Sequence, residues 1–335
     1  MLKRKKMIFI IIGIIVLMAL VYIFKIAKHY PKNINLENVD NFFGVTYSKK
    51  YAEDLGLDWR EVYLAILDDL EVKKIRIPIY WDEIEKTPGN FDFSDYDYLI
   101  EEGEKRNVEF VLNFGMRVAR WPECHFPEWL NSSDKKYLQE RTNLMIKEVV
   151  DNFKNYNSIV YWQLENEPLL DSFGVCPKSD YNFLQEEISL VKSLDNRQII
   201  ISATGELSFW EKEIKVADIF GTTMYRVVYN KFFGYIKYPY SSKFYNRKAK
   251  LNNINPKDIF IVELQAEPWI DEFDIINPDS KKHLKSFNIN QFKANAQFAL
   301  DTGFNRAYLW GAEWWYLRYK KMNDPVYWDF AKTLF

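Results

Sequence analysis

Glutamates carry the chemistry this chain is equipped to perform, and two short segments concentrate them. Tyr161-Trp-Gln-Leu-Glu-Asn-Glu-Pro168 runs from an apolar stretch into Glu165 and Glu167, and Asp258-Ile-Phe-Ile-Val-Glu-Leu-Gln-Ala-Glu-Pro268 does the same with Glu263 and Glu267. A buried strand that ends on carboxylates delivers ionisable groups to the mouth of a fold, where burial and neighbouring charge tune them for acid/base work. On an extended strand alternate side chains share a face, so Gln163, Glu165 and Glu167 point the same way, and Pro168 ends the pairing. In the second strand Ile261 and Glu263 share a face, with Gln265 and Glu267 beyond its end. Glu167 lies nearest the mouth, while Glu165, one layer deeper, reads as a buried partner for Arg76. Glu267 rivals Glu263 because it also precedes a proline, but it lies four residues further on and falls in a loop. Two carboxylates about 5 Å apart suit retaining glycoside hydrolysis, in which one attacks the anomeric carbon while the other protonates the leaving oxygen and then activates water.

Such a pair needs a frame that brings two distant strand ends together. After Pro31 the chain alternates short apolar runs with amphipathic stretches, the pattern of repeated βα units around a parallel sheet. Eight strands are predicted, over Phe42–Tyr47, Lys74–Trp81, Glu109–Gly115, Ile159–Glu167, Gln198–Ser202, Asp218–Tyr225, Asp258–Leu264 and Arg306–Trp310. Helical spacing marks Trp59–Glu71, opened by a capping-box-like Asp58 and Glu61, and also Lys135–Phe153, Asp180–Ser193 and Gln291–Leu300. This is an α/β chain whose pattern matches a single (β/α)8 TIM barrel, with its active site at the C-terminal strand ends. A doubly wound sheet is the runner-up, but no G-x-G-x-x-G or P-loop follows any strand. If the glutamate segments are the fourth and seventh strands, their ends face each other across the mouth. One long irregular stretch, Arg226–Pro256, carries Tyr229, Phe232, Phe233, Tyr235, Tyr238 and Tyr240, and a loop of that length is usually functional.

Asn166-Glu167-Pro168 at a fourth strand end, with Glu263 on a seventh, resembles the clan A glycoside hydrolases, which include cellulase-type and β-galactosidase-type barrels. Gln163-Leu-Glu-Asn-Glu167 is closer to the β-galactosidase families, and Pro168 is more like the cellulase-type ones. The resemblance runs from about Phe42 to Trp328. It implies Glu167 as general acid/base, Glu263 as nucleophile, Asn166 on the sugar 2-hydroxyl, Arg76 and Tyr225 around the nucleophile, and Trp310 as sugar platform. Asn113 stands at the third strand end, where many clan members place a histidine or another polar group. Elementary electrostatics agrees with these roles: a guanidinium and a phenol keep a nucleophile ionised, whereas the acid needs a drier setting or a like-charged neighbour such as Glu165 or Glu263. The segment Arg117–Leu130 lines the cleft, with Trp121, His125 and Trp129 as candidate substrate contacts. The expected partner is a poly- or oligosaccharide, with no cofactor and no metal. The same site also suits transglycosylation, and a non-catalytic sugar-binding barrel is a further alternative. A metal-dependent barrel hydrolase would need histidines at strand ends, and His29, His125 and His283 lack that spacing.

Composition sets outer bounds. Of 335 residues 48% are hydrophobic and 27% charged, which suits one large folded core of about 300 residues. A net charge of −2 gives no footprint for nucleic acid. An aromatic content of 17% is high; most of these rings are expected in the core, and an excess would also suit stacking on sugar faces. Residues 1–32 differ from the rest: Lys3-Arg-Lys-Lys6 precedes the uncharged run Met7–Phe24, long enough to span a bilayer as a helix of roughly 20 residues. No A-x-A-like site follows, so an uncleaved signal anchor is expected, about residues 7–24 in the membrane. The basic cluster before it argues for a cytoplasmic N-terminus and a single-pass protein whose catalytic domain, 33–335, lies outside the cytoplasm. The two cysteines, Cys124 and Cys176, each follow a predicted strand end, and both a disulfide and two buried thiols are open readings.

Overall fold

The protein is seen here as a computed structural model that describes residues 13–14, 34–36, 39, 41–230, 232–269 and 283–335. Eight parallel strands close into a barrel: β1 (Phe43–Thr46), β2 (Lys74–Pro78), β3 (Glu109–Phe114), β4 (Ile159–Leu164), β5 (Gln198–Ala203), β6 (Ile219–Met224), β9 (Ile259–Gln265) and β10 (Arg306–Trp310). Strands β7 (Val227–Asn230) and β8 (Gly234–Lys237) form a separate antiparallel hairpin. The strand order around the barrel is β1, β10, β9, β6, β5, β4, β3, β2, so β4 and β9 are its fourth and seventh members. The predicted membrane span over 7–24 lies outside the described residues except for Gly13 and Ile14, and no helix among the described residues is long and apolar enough to cross a membrane.

Both faces of these strands are covered, which is why they read as near-continuous apolar runs. Inside the barrel Val111, Ile200, Ile219, Phe260, Val262 and Tyr308 fill one small cluster. Residues of the opposite parity, such as Ile75, Ile77, Leu112, Trp162, Ile199 and Ile261, pack outward against the helices in a much larger one. Helices Trp59–Asp68, Lys135–Phe153 and Tyr181–Leu194 begin where Asp58, Asp134 and Asp180 accept hydrogen bonds from first-turn N–H groups.

Three features depart from the sequence expectation. The stretch Arg226–Pro256 is not irregular: it holds the β7–β8 hairpin and the helix Ser242–Leu251, which buries Tyr245, Lys248 and Ala249 at helical spacing. β4 stops at Leu164 rather than Glu167, because Glu165 and Glu167 adopt left-handed backbone angles, φ 58° and 46°. β9 contains a bulge. Against β6 its register jumps from Ile261 to Glu263 while β6 advances one residue, and against β10 it advances three residues for two. One extra residue reverses the inward/outward parity of everything beyond it. Ile261 therefore packs outward and Val262 inward, whereas Glu263 points inward again.

Cys124 and Cys176 are disulfide-bonded, with Cα atoms 5.4 Å apart, and tie the loop after β3 to the loop after β4. Closing 52 residues of chain in this way stabilises the fold by about 4 kcal/mol in the chain-entropy account.

Candidate active site at the strand ends

Glu263 reaches the barrel mouth because of the β9 bulge. Its carboxylate accepts a hydrogen bond from Arg76 Nη1 at 3.2 Å and from the Tyr225 hydroxyl at 2.8 Å. Arg76, on β2, is fully buried, and a buried guanidinium is tolerated only when its donors are matched. Its Nε donates to Gln163 Oε1 at 2.6 Å, and Nη2 donates to Asn113 Oδ1 at 3.0 Å and Asn166 Oδ1 at 3.2 Å. Tyr225 follows β6 and is half-buried. Burial, then the Glu263 charge, push its phenol well above the ordinary value, so it remains a donor.

Glu167 occupies the opposite electrostatic setting. Its Oε1 accepts from Thr223 Oγ1 at 2.8 Å, and its backbone N–H donates to Ser202 Oγ at 3.0 Å. Burial first, then the charges of Glu263 and Glu123, push its carboxyl up to about 8. Thr223 is also the residue that pairs with Glu263 across the β6–β9 ladder. One threonine thus joins the two glutamates: its side chain holds Glu167, and its neighbour one strand over, at the usual ladder spacing of about 4.8 Å, is Glu263.

Glu165 corrects an expectation. The left-handed turn at this residue carries its side chain away from Arg76, and its carboxylate accepts instead from the N–H groups of Met116 and Arg117 at 2.6 and 2.7 Å. Gly115, at φ 137°, makes room: a Cβ there would lie 2.4 Å from Glu165 Oε1. Behind it sits Glu187, from the helix Tyr181–Leu194. Burial raises Glu165 to about 7, and burial together with Glu165 raises Glu187 well above the carboxylate range. Gln265 also differs from expectation, since it closes β9 rather than following it, and its Oε1 accepts from the N–H groups of Arg226 and Val227.

The other predicted residues divide between site and frame. Asn166 is buried between Arg76 and Glu123, donating from Nδ2 to Glu123 Oε2 at 3.2 Å. Asn113 is fully buried, and its Nδ2 donates to the Gln163 and Glu165 carbonyls. Trp310 ends β10 at 6% exposure with the Arg120 guanidinium 4.4 Å from its ring centre. Glu267 lies in the loop beyond β9, paired with Arg120 at 3.3 Å. Trp121 is 44% exposed and edges onto Phe173, which meets Trp269, which meets Tyr225. His125 and Trp129, by contrast, belong to the frame: His125 is buried against Tyr80, and Trp129 donates to the Glu85 carbonyl with Arg141 over its ring.

Several residues near the glutamates carry no mark in the sequence pattern. Thr223 and Ser202 look like ordinary strand positions until the register is known. Arg120, Phe173 and Trp269 lie in loops, and Glu123 had only its neighbour Cys124 to single it out.

A family model for cellulase (glycosyl hydrolase family 5) matches residues 32–264, from before β1 to just past Glu263. The chain is 22% identical over 191 residues to "Beta-galactosidase BgaA" of Clostridium cellulovorans, covering 50% of this chain and 28% of that one. It is 24% identical over 124 residues to "Probable mannan endo-1,4-beta-mannosidase A" of Aspergillus niger, covering 32% and 30%. The chain thus spans under a third of the length of either relative. Among solved structures, the exo-beta-1,4-mannosidase Op5Man5 from Opitutaceae bacterium strain TAV5 superposes with a TM-score of 0.53 at 12% identity, over 80% of this chain and 52% of that one, a likeness of fold. With the family model covering most of the barrel, the chain belongs to the cellulase family, glycosyl hydrolase family 5.

Proposed function

We propose that the protein is a retaining β-glycosidase that cleaves O-glycosidic bonds of a poly- or oligosaccharide, with Glu263 as nucleophile and Glu167 as acid/base. The observation that carries this reading is the unequal treatment of two neighbouring carboxyls. Glu263 is met by a guanidinium and a phenol, both of which favour the anion, whereas Glu167 is dried out and surrounded by like charge, which favours the acid. Their link through Thr223 suits the short separation of retaining enzymes rather than the roughly 6.5–9.5 Å that leaves room for a water.

In the first step the Glu263 carboxylate attacks the anomeric carbon as the bond to the leaving oxygen breaks, and that oxygen takes the Glu167 proton. The glycosyl ester that forms removes the Glu263 charge, so the acidity of Glu167 rises just when it must act as a base. In the second step Glu167 takes a proton from water, the hydroxide adds to the anomeric carbon, and the Glu263 carboxylate leaves. Asn166 holds the sugar 2-hydroxyl, Arg76 and Tyr225 steady the nucleophile, Trp310 forms the floor of the sugar site, and Trp121 with Phe173 and Trp269 lines the way in. Asn113 acts from below by fixing Arg76.

The relatives named for galactosides and mannosides define the substrates to try first. Proton NMR of hydrolysis of a panel of β-galactosides and β-mannosides is expected to show the β-anomer of the released sugar first; initial release of the α-anomer would sink the reading. We further place the barrel outside the cytoplasm on an N-terminal anchor over about 7–24, a reading supported by the basic-then-apolar sequence of residues 3–24 and by the Cys124–Cys176 disulfide, a bond typical of oxidising compartments. Protease added to intact cells is expected to release the barrel, and full protection would contradict that placement.

A further inference from the structure

A third carboxyl stands beside the two glutamates, on a loop built to hold it there. Glu123 is 5% exposed and lies between Arg117, whose Nε is 3.6 Å away, and Asn166, whose Nδ2 donates to it at 3.2 Å. Its backbone is left-handed, φ 75°, with its N–H on the Arg120 carbonyl and its carbonyl accepting from Val118. The next residue is the disulfide-bonded Cys124, and Gly174 leaves space for the side chain, since a Cβ there would lie 2.9 Å from Glu123 Cβ. The loop therefore fixes this carboxyl from both sides of the chain.

The Asn166 amide can face only one way. Arg76 is a pure donor, so the atom toward it must be Oδ1, and Nδ2 must find an acceptor, which Glu123 provides. The same carboxyl is also a charge. Glu167 is faced by Glu263 from β9, Thr223 from β6, Tyr225 beyond it, Tyr238 after β8, Ser202 from β5, and Glu123 and Arg117 from the loop after β3. Glu123 itself is faced by Arg117, Asn166 and Glu263.

Building on the assignment of Glu167 as acid/base, we propose that Glu123 is a positioning residue of this site, which orients the Asn166 carboxamide toward the sugar and supplies a second negative charge beside Glu167. It touches no reacting atom. Burial pushes the Glu123 carboxyl up to about 7, so it is ionised around the alkaline limb set by Glu167; there its like charge holds the proton on Glu167, and removing it makes Glu167 a stronger acid.

Two variants separate the charge from the contact. Glu123→Gln keeps an acceptor of the same length for Asn166 and deletes the charge; Glu123→Asp keeps the charge and withdraws it from Asn166. The assay is kcat/KM against pH on phenyl β-glycosides, whose leaving group needs a proton, with thermal melts to check folding. In Glu123→Gln the alkaline limb is expected to move to lower pH by on the order of one unit. In Glu123→Asp the limb stays in place while kcat falls at every pH. A wild-type limb in folded Glu123→Gln would overturn the proposal, and so would a Glu123→Asp enzyme matching wild type in both kcat and limb, which remains decisive should the Gln variant fail to fold. Glu167→Ala runs alongside: if it hydrolyses the phenyl glycosides as fast as wild type, the acid/base assignment falls and the role of Glu123 with it. If it is inactive while Glu123→Gln keeps the wild-type limb, only the role of Glu123 falls.

Discussion

Glu167 shows how burial and like charge push up a carboxyl that is ordinarily ionised at neutral pH, the setting its proposed role as acid requires. Burial contributes most, and Glu263 and Glu123 add repulsion, while the Thr223 hydroxyl acts against them by donating to the carboxylate. Removing that donor therefore raises the acid further. In Thr223→Val the alkaline limb of kcat/KM is expected to move to higher pH, and a limb moving down, or staying put, in the folded variant would show that Thr223 does not hold Glu167. At this scale the proposed pair is legible in the sequence, because Asn-Glu-Pro after an apolar run and an isolated Glu in another are local patterns. It misled for Glu165, since strand alternation ceases where the backbone turns left-handed, and nothing in the residue types marks that turn. Glu123 and Thr223 were hidden for a different reason: their importance depends on which chain segment lies opposite.

Among the elements, the strands were the most legible. Parallel strands buried on both faces must be apolar throughout, and the helices between them must be amphipathic, so the alternation is written in composition. What the pattern cannot carry is register. The β9 bulge at Val262 changes which residues face the mouth, yet Phe-Ile-Val-Glu-Leu reads the same with or without it. Simple alternation placed Ile261 and Glu263 on one face; the barrel turns Ile261 outward and Glu263 inward. The hairpin and helix within Arg226–Pro256 were missed because aromatic density masked two short periodicities, one of strand and one of helix. The disulfide was undecidable from spacing, since pairing depends on two loops meeting above the barrel.

The whole barrel stores an unusual amount of buried acid. Burial, opposed by most of their hydrogen-bond and cationic partners, pushes Glu123, Glu165, Glu206 and Glu313 up to about 7, and burial together with the charges of Glu263 and Glu123 pushes Glu167 up to about 8. Each carboxyl binds its proton more tightly in the folded protein than in the unfolded chain. The stabilisation this brings is fully present below the unfolded value near pH 4.5 and is lost as pH rises through 7 to 8. The melting temperature is accordingly expected to fall between pH 5 and pH 9, as differential scanning calorimetry would measure; a flat or rising profile would show that these groups are ionised and solvated in the fold. The proposed acid thus sits in a molecule whose stability favours the same proton.

The account rests on Glu263 forming the bond to sugar, and trapping that bond tests it most directly. An activated 2-deoxy-2-fluoro-β-glycoside of the sugar the enzyme hydrolyses slows both steps but forms the ester rapidly enough to accumulate. After proteolysis, tandem mass spectrometry is expected to find one glycosyl group on the peptide holding Glu263, at that residue. A label on Glu267 or Glu167, or no covalent adduct with an enzyme that still turns over the parent glycoside, would contradict it.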